Sequence, residues 1–142
     1  MIRPGETIML EDEAATITFG KQLAEMLRSP WIIALSGELG AGKTTLVRGL
    51  AQGLQCVDEV GSPTFALIHR YAGAQPLTHC DWYRIESERE LMNIGWDEIV
   101  DTEERIVVEW AEKFPRLLPQ TTRQLRLEYR DGGRTITAGG GW

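Results

Sequence analysis

The chain has 142 residues, of which 42% are hydrophobic and 25% charged. That is an ordinary globular balance, enough for one core, and it excludes a disordered chain. A net charge of −6 argues against a general nucleic-acid binder, because the chain repels phosphate backbones at long range. No apolar run approaches the length of a membrane span. Met1 to Glu13 is broken by Pro4 and Gly5 and lacks the apolar segment of a signal peptide. The two cysteines, Cys56 and Cys80, form no C-x-x-C pair and are read as buried thiols in a reducing compartment. A single cytoplasmic domain over residues 1–142 is expected, without membrane contact, and residues 138–142 read as a frayed, flexible tail.

Thr7 to Leu10 reads as a first strand. Glu11 to Leu27 reads as a helix with acidic residues crowding its first turn, and with Phe19, Leu23, Met26 and Leu27 facing the core. Ser29-Pro30 ends it. Trp31 to Leu35 is a short apolar run, the length of a buried strand. The segment Gly37-Glu38-Leu39-Gly40-Ala41-Gly42-Lys43-Thr44 then matches G-x-x-x-x-G-K-[ST], the phosphate-binding P-loop. Its glycines permit positive φ and bring backbone N–H groups close to phosphate oxygens. In this motif the lysine, here Lys43, reaches the β- and γ-phosphates, and the hydroxyl of Thr44 can ligate Mg²⁺. Thr45 to Leu54 follows with Leu46, Val47, Leu50, Ala51 and Leu54 at helical spacing. Strand, loop and helix are the context the motif requires, since the helix turns its positive dipole end toward the anion.

Beyond this helix, Gln55 to Thr64 is irregular. Ala66 to Tyr71 and Leu77 to Asp81 read as two strands of a hairpin. Ser87 to Asn93 is a short helix capped by Ser87, with Glu90 completing a capping box. Trp96 to Val100 adds a further turn or two. Arg105 to Glu109 is a strand. Gln124 to Arg130 alternates, with Leu125, Leu127 and Tyr129 on one side, and turns through Asp131-Gly132-Gly133 into Arg134 to Thr137. The order implies a P-loop NTPase-like three-layer α/β sandwich. Its sheet should be parallel at the centre and antiparallel at the edges, with the nucleotide at the C-terminal ends of the central strands.

A P-loop NTPase needs a carboxylate near Mg²⁺, usually at a strand end. Two strands offer one. Ile106-Val107-Val108-Glu109 has the more apolar run and ends in Glu. Leu77-Thr78-His79-Cys80-Asp81 is more polar and ends in Asp. Ser62-Pro63-Thr64 sits where switch-type NTPases keep a γ-phosphate-sensing hydroxyl, although alone it is an ordinary turn sequence.

Taken together, the P-loop Gly37 to Thr45, Ser62-Pro63-Thr64, His79-Cys80-Asp81-Trp82-Tyr83-Arg84 and Val108-Glu109-Trp110 resemble the TsaE (YjeE) family. These are small bacterial P-loop ATPases of tRNA threonylcarbamoyladenosine synthesis. The resemblance covers about residues 7 to 130. It implies binding of ATP and ADP with Mg²⁺, slow hydrolysis by the protein alone, and partnership with TsaD and TsaB, which carry out the transfer to tRNA. Contact with tRNA would be indirect, through that complex. By position, it implies that Glu38 to Thr45 cradle the nucleotide and that Lys43 contacts phosphate. Thr44 and Glu109 would serve Mg²⁺, Thr64 would be a switch residue, and Asp81 an essential acid near the metal or the attacking water. Trp110 would lie beside the nucleotide. Two departures from the family pattern are Glu38, where Asp is expected in many members, and Trp82 in place of Leu.

Several residues carry two readings. His79 either orients Asp81 or fills its strand. Arg84 is an internal arginine finger or a structural ion pair. Trp110 stacks on adenine or belongs to the core. Residues 113–134 hold six basic and two acidic side chains, read as charges blunting an exposed edge strand or as a docking surface. The alternative activity is a small-molecule or nucleotide kinase, but no Arg-rich lid segment is visible. A GTPase switch would need an Asn-Lys-x-Asp loop, which is absent.

Overall fold

The computed structural model describes residues 2–38, 40–61 and 67–142. Seven strands form one sheet in the order β1-β7-β6-β2-β5-β4-β3. They are β1 (Thr7–Leu10), β2 (Trp31–Gly37), β3 (Ile68–Tyr71), β4 (Leu77–Asp81), β5 (Arg105–Glu109), β6 (Arg123–Arg130) and β7 (Gly133–Ala138). The four central strands β6, β2, β5 and β4 are mutually parallel, whereas β1, β7 and β3 pair antiparallel at the edges. The helices are α1 (Glu13–Met26), α2 (Lys43–Gly53), α3 (Glu88–Asn93) and α4 (Trp96–Thr102).

Period-two alternation divides the strand residues between two cores. Ile33, Leu35, Val107, Leu125, Leu127 and Ile136 pack with α1 and α2. Ala34, Cys80, Ile106 and Val108 pack on the other face with Trp82, Leu91 and Trp96. The result is the expected three-layer sandwich. Trp82 is buried, edge-on to Trp96 with ring centroids 5.1 Å apart. Its bulk therefore serves packing rather than a surface.

Helices α1 and α2 meet at glycines. A methyl group on Gly49 would lie 2.4 Å from the Ile17 carbonyl oxygen, and one on Gly20 would lie 2.7 Å from that of Leu46. The backbones touch here, so the buried stripe of α1 is Thr16, Gly20, Leu23 and Ala24. Phe19 packs only partly buried and Met26 is exposed, contrary to the pattern expected from large apolar residues. Small residues at the contact moved the stripe.

One expectation at the C-terminal end is corrected. Strand β6 lies inside the sheet between β7 and β2, so its arginines do not blunt an edge. Two of them share one partner: Arg126 and Arg130 both reach Glu128, at 3.9 and 3.7 Å. Residues at the C-terminal end hydrogen-bond to β6. Gln124 N–H donates to the Gly140 carbonyl at 2.9 Å, and the Trp142 indole N–H donates to the Gln124 carbonyl at 2.8 Å.

The α1–α2 contact gives a direct test. Alanine ordinarily stabilises a helix by about 1 kcal/mol over glycine. At Gly49 the overpacking should win, and Gly49→Ala should lower stability by about 1–3 kcal/mol in urea unfolding. An equal or higher midpoint would contradict the close contact.

Candidate active site

Because β2, β4 and β5 run parallel, their C-terminal ends open at one edge of the sheet. Leu35 of β2 is opposite Glu109 of β5, and Asp81 of β4 is opposite Glu109 on its other side. The two strand-end carboxylates are therefore not rivals but cross-strand neighbours.

The P-loop leaves β2 at this edge. Gly40 and Gly42 have φ of 80° and 100°, and the Ala41 N–H donates to the Glu38 carbonyl at 3.1 Å to close the turn. Helix α2 begins at Lys43 with Gly42 as its N-cap, and no side chain caps it. Its first N–H groups thus lack the side-chain acceptor that helix starts usually recruit, which suits them to an anion. Glu38 and Gly40 are exposed, Ala41, Gly42, Lys43 and Thr45 are buried, and Thr44 is half-buried. Leu39 and Thr64, both expected in the site, lie outside the described residues.

Lys43 is 5% exposed. Its ammonium donates to the carbonyls of Gly37 at 2.6 Å and Glu38 at 3.3 Å, and it stands 3.9 Å from the centre of the Trp110 ring. Burial pulls its pKa down, while Glu109, Glu112 and Asp81 pull it back up. Trp110 is half-buried and adopts a left-handed conformation with φ of 59°. It leans on Tyr83, with centroids 5.0 Å apart. The ring packs against the core around Trp82 and Trp96 and also faces the Lys43 ammonium.

Glu109 is 4% exposed and its Oε2 lies 2.6 Å from Nε2 of the fully buried His79. On the other side of the imidazole, Nδ1 lies 2.9 Å from the Tyr71 hydroxyl. Burial first, then the Glu109 charge, pushes the Tyr71 phenol up to about 12, so it keeps its proton and can donate to Nδ1 of a neutral ring. Nε2 then carries the ring proton and donates to Glu109. This chain fixes one carboxylate oxygen and leaves Oε1 for other use. His79 thus orients Glu109, not Asp81.

The Tyr83 N–H donates to Asp81 Oδ1 at 2.9 Å. Burial raises the Asp81 pKa and the neighbouring Glu109 adds to this, opposed by that N–H and by Lys43. The following loop is pinned by Lys113, whose ammonium donates to the carbonyls of Tyr83 at 2.7 Å and Ile85 at 2.6 Å. Arg84 is exposed and makes no ion pair among the described residues, so the structural pairing is not realised.

Among the described residues, no cluster of three or more His, Cys, Asp or Glu could hold a metal ion. Mg²⁺ commonly binds through one or two carboxylates plus substrate phosphates. Glu109, Asp81 and the Thr44 hydroxyl are hard oxygen donors of that kind. The Asp81 pKa is raised chiefly by burial, a penalty on the ionised form that a bound cation would offset.

Three groups were not found from sequence. Glu112 reaches the first P-loop glycine, its Oε2 accepting from Gly37 N–H at 3.5 Å. Tyr129 and Arg134, cross-strand partners in β6 and β7, come up against the loop. Strand alternation put Tyr129 on one side with Leu125 and Leu127, but nothing in the sequence said that this face ends at the P-loop.

The Asp81 environment is testable without nucleotide. A carboxyl whose folded pKa is raised destabilises the fold when ionised. The penalty is absent below the ordinary value of 3.8 and complete above the raised one. Asp81→Asn keeps an acceptor for Tyr83 N–H and removes the charge. It should raise the melting temperature near neutral pH, with the gain shrinking to nothing as pH falls below the ordinary value. A pH-independent difference would refute the charge argument.

A family model described as "Threonylcarbamoyl adenosine biosynthesis protein TsaE" matches residues 10–136. A "tRNA threonylcarbamoyladenosine biosynthesis protein TsaE" from Nostoc sp. is 41% identical over 89% of this chain and 80% of its own length. One of the same name from Haemophilus influenzae is 35% identical over 92% of this chain and 86% of its own. The crystal structure of YdiB from Bacillus subtilis superposes with a TM-score of 0.80 at 31% identity, covering 97% of this chain and 86% of that one. With the P-loop, the paired strand-end carboxylates and these matches together, the chain belongs to the TsaE family.

Proposed function

We propose that this protein is an accessory ATPase of tRNA threonylcarbamoyladenosine synthesis. It would bind ATP and Mg²⁺, hydrolyse slowly alone, and act with the TsaD and TsaB proteins that modify the tRNA. The observation that carries the nucleotide reading is the convergence at one sheet edge. An uncapped helix start, a buried lysine and two adjacent carboxylates meet there. The family relatives' names support the pathway.

In this reading Lys43 exchanges the Gly37 and Glu38 carbonyls for phosphate oxygens, and the amides from Glu38 to Thr45 line the polyphosphate. Thr44 and Glu109 would hold Mg²⁺, which would supply charge neutralisation at the phosphates. Glu109 is kept in place by His79 and Tyr71. Asp81 would be the essential acid near the metal or the attacking water. Trp110 forms a wall beside the nucleotide, and Thr64 senses the γ-phosphate. A nucleotide switch acts on a partner only if its two states bind that partner differently. The role therefore implies that docking on TsaD–TsaB is coupled to the ATP or ADP state. Among the described residues no helix is long and apolar enough to cross a bilayer.

Lys43→Ala removes a charge-assisted contact worth about 1.5–3 kcal/mol, so ATP affinity should fall roughly ten- to a hundredfold. In a turnover assay with TsaD, TsaB, activated threonylcarbamoyl donor and tRNA, the variant should fail to sustain repeated modification. Unchanged ATP affinity in a folded variant would remove the P-loop assignment. Wild-type turnover numbers with the variant would remove the accessory role.

A further inference from the structure

The β6–β7 hairpin brings a cation to the P-loop that the motif does not contain. Its turn, Asp131-Gly132, has φ of 42° and 81°, the left-handed pair that closes a two-residue hairpin. This fixes Tyr129 opposite Arg134. Both continue the sheet face that carries Leu127 and Ile136, which pack under α1 and α2. Helix α2 begins at Lys43, so ahead of its start the face is covered by the loop itself.

The contact is close. A methyl group on Gly42 would lie 2.9 Å from Arg134 Cδ and 3.0 Å from Nε. One on Gly40 would lie 3.5 Å from the Tyr129 hydroxyl. The guanidinium is 5.4 Å from the Tyr129 ring centre, a cation–π distance that holds it in place. Its Nε is buried and has no hydrogen-bond partner among the described residues, and no carboxylate pairs with Arg134 there. Burying an arginine N–H without an acceptor is costly, and proteins rarely leave one so unless a ligand supplies the acceptor. Planar guanidinium groups suit phosphate oxygens in particular.

We propose that Arg134 is a phosphate-binding residue of the nucleotide site, delivered by the β6–β7 hairpin and steadied by Tyr129, that engages the polyphosphate of a nucleoside di- or triphosphate. This rests on the P-loop reading given above. Gly42 then has two reasons to be glycine: its left-handed backbone, and the room its missing side chain leaves for Arg134.

The test is calorimetric titration of the full chain with ADP and, separately, with inorganic pyrophosphate, for wild type, Arg134→Gln and Arg134→Lys. Thermal melts of the free proteins check folding. Arg134→Gln should lose about tenfold or more in affinity for both ligands, and Arg134→Lys should recover part of it. Unchanged ADP affinity in Arg134→Gln overturns the proposal. Weaker ADP binding with unchanged pyrophosphate binding also overturns it, because the side chain would then read the nucleoside. Should Arg134→Gln be unfolded, Arg134→Lys decides alone: the bidentate fork is lost but the charge kept, so wild-type affinity for both ligands counts against the proposal. Wild type that binds neither ligand overturns the P-loop reading itself and this inference with it.

Discussion

The site depends on the parallel ladder formed by β4, β5 and β2. Parallel pairing sends three chain segments out at the same edge, and the register decides which side chains arrive there together. Asp81 faces Glu109, and Glu109 faces Leu35, two residues before the P-loop's first glycine. A slip of one residue in β5 would turn Glu109 to the opposite face and put Val108 under α2. The apolar alternation prevents that. Val107 belongs to the core beneath α1 and α2, while Ile106 and Val108 belong to the core around Trp82 and Trp96. Hydrophobic burial on both faces thus fixes the position of a charged group that contributes nothing to that burial.

Polar order on the α2 face follows from the same register. His79 is opposite Val107 and Tyr71 is opposite Leu77, so phenol, imidazole and carboxylate fall on one face in sequence. Each hydrogen-bonding atom of the imidazole is used, at 2.9 and 2.6 Å. A buried carboxylate needs such satisfaction, and a half-made network here would cost more than an apolar core. The chain gives Glu109 one fixed oxygen and one available oxygen.

Local signals carried much of this into the sequence. The P-loop, its flanking strand and helix, both hairpins and the mixed parallel–antiparallel sheet follow from motif, periodicity and turn chemistry, and the structure has them. Relations between distant segments were not legible. Asp81 and Glu109 read as competing candidates because their pairing across β4 and β5 is set by tertiary register. The face of α1 was misjudged because Gly20 and Gly49, not the large residues, set the helix approach. Strand β6 looked like an edge because nothing local reveals that β2 completes its other side. Tyr129 fits the buried alternation yet is exposed, since the helix that covers Leu125 and Leu127 begins only at the P-loop. Thr64 and Leu39 fall outside the described residues, so their expected roles stay with the proposal.

The same edge concentrates groups that do not stabilise the fold. Burial lowers the Lys43 pKa and raises that of Asp81, so each charged form is held at a cost. Trp110 sits in a left-handed conformation that a bulky residue seldom adopts. Arg134 keeps a buried N–H without an acceptor among the described residues. Each alone could be a local imperfection, but all four gather where three strand ends and an uncapped helix meet. A bound polyphosphate with its metal would give acceptors to the two cations and countercharge to the carboxylates. On the proposed reading, the unmet interactions of the free protein are the ones the nucleotide completes. Ligand at a hundredfold excess over its dissociation constant would return about 2.7 kcal/mol to the folded state. The cost is borne by a sheet that is buried on both faces around the site, which is why the edge can hold these groups ready without losing its shape.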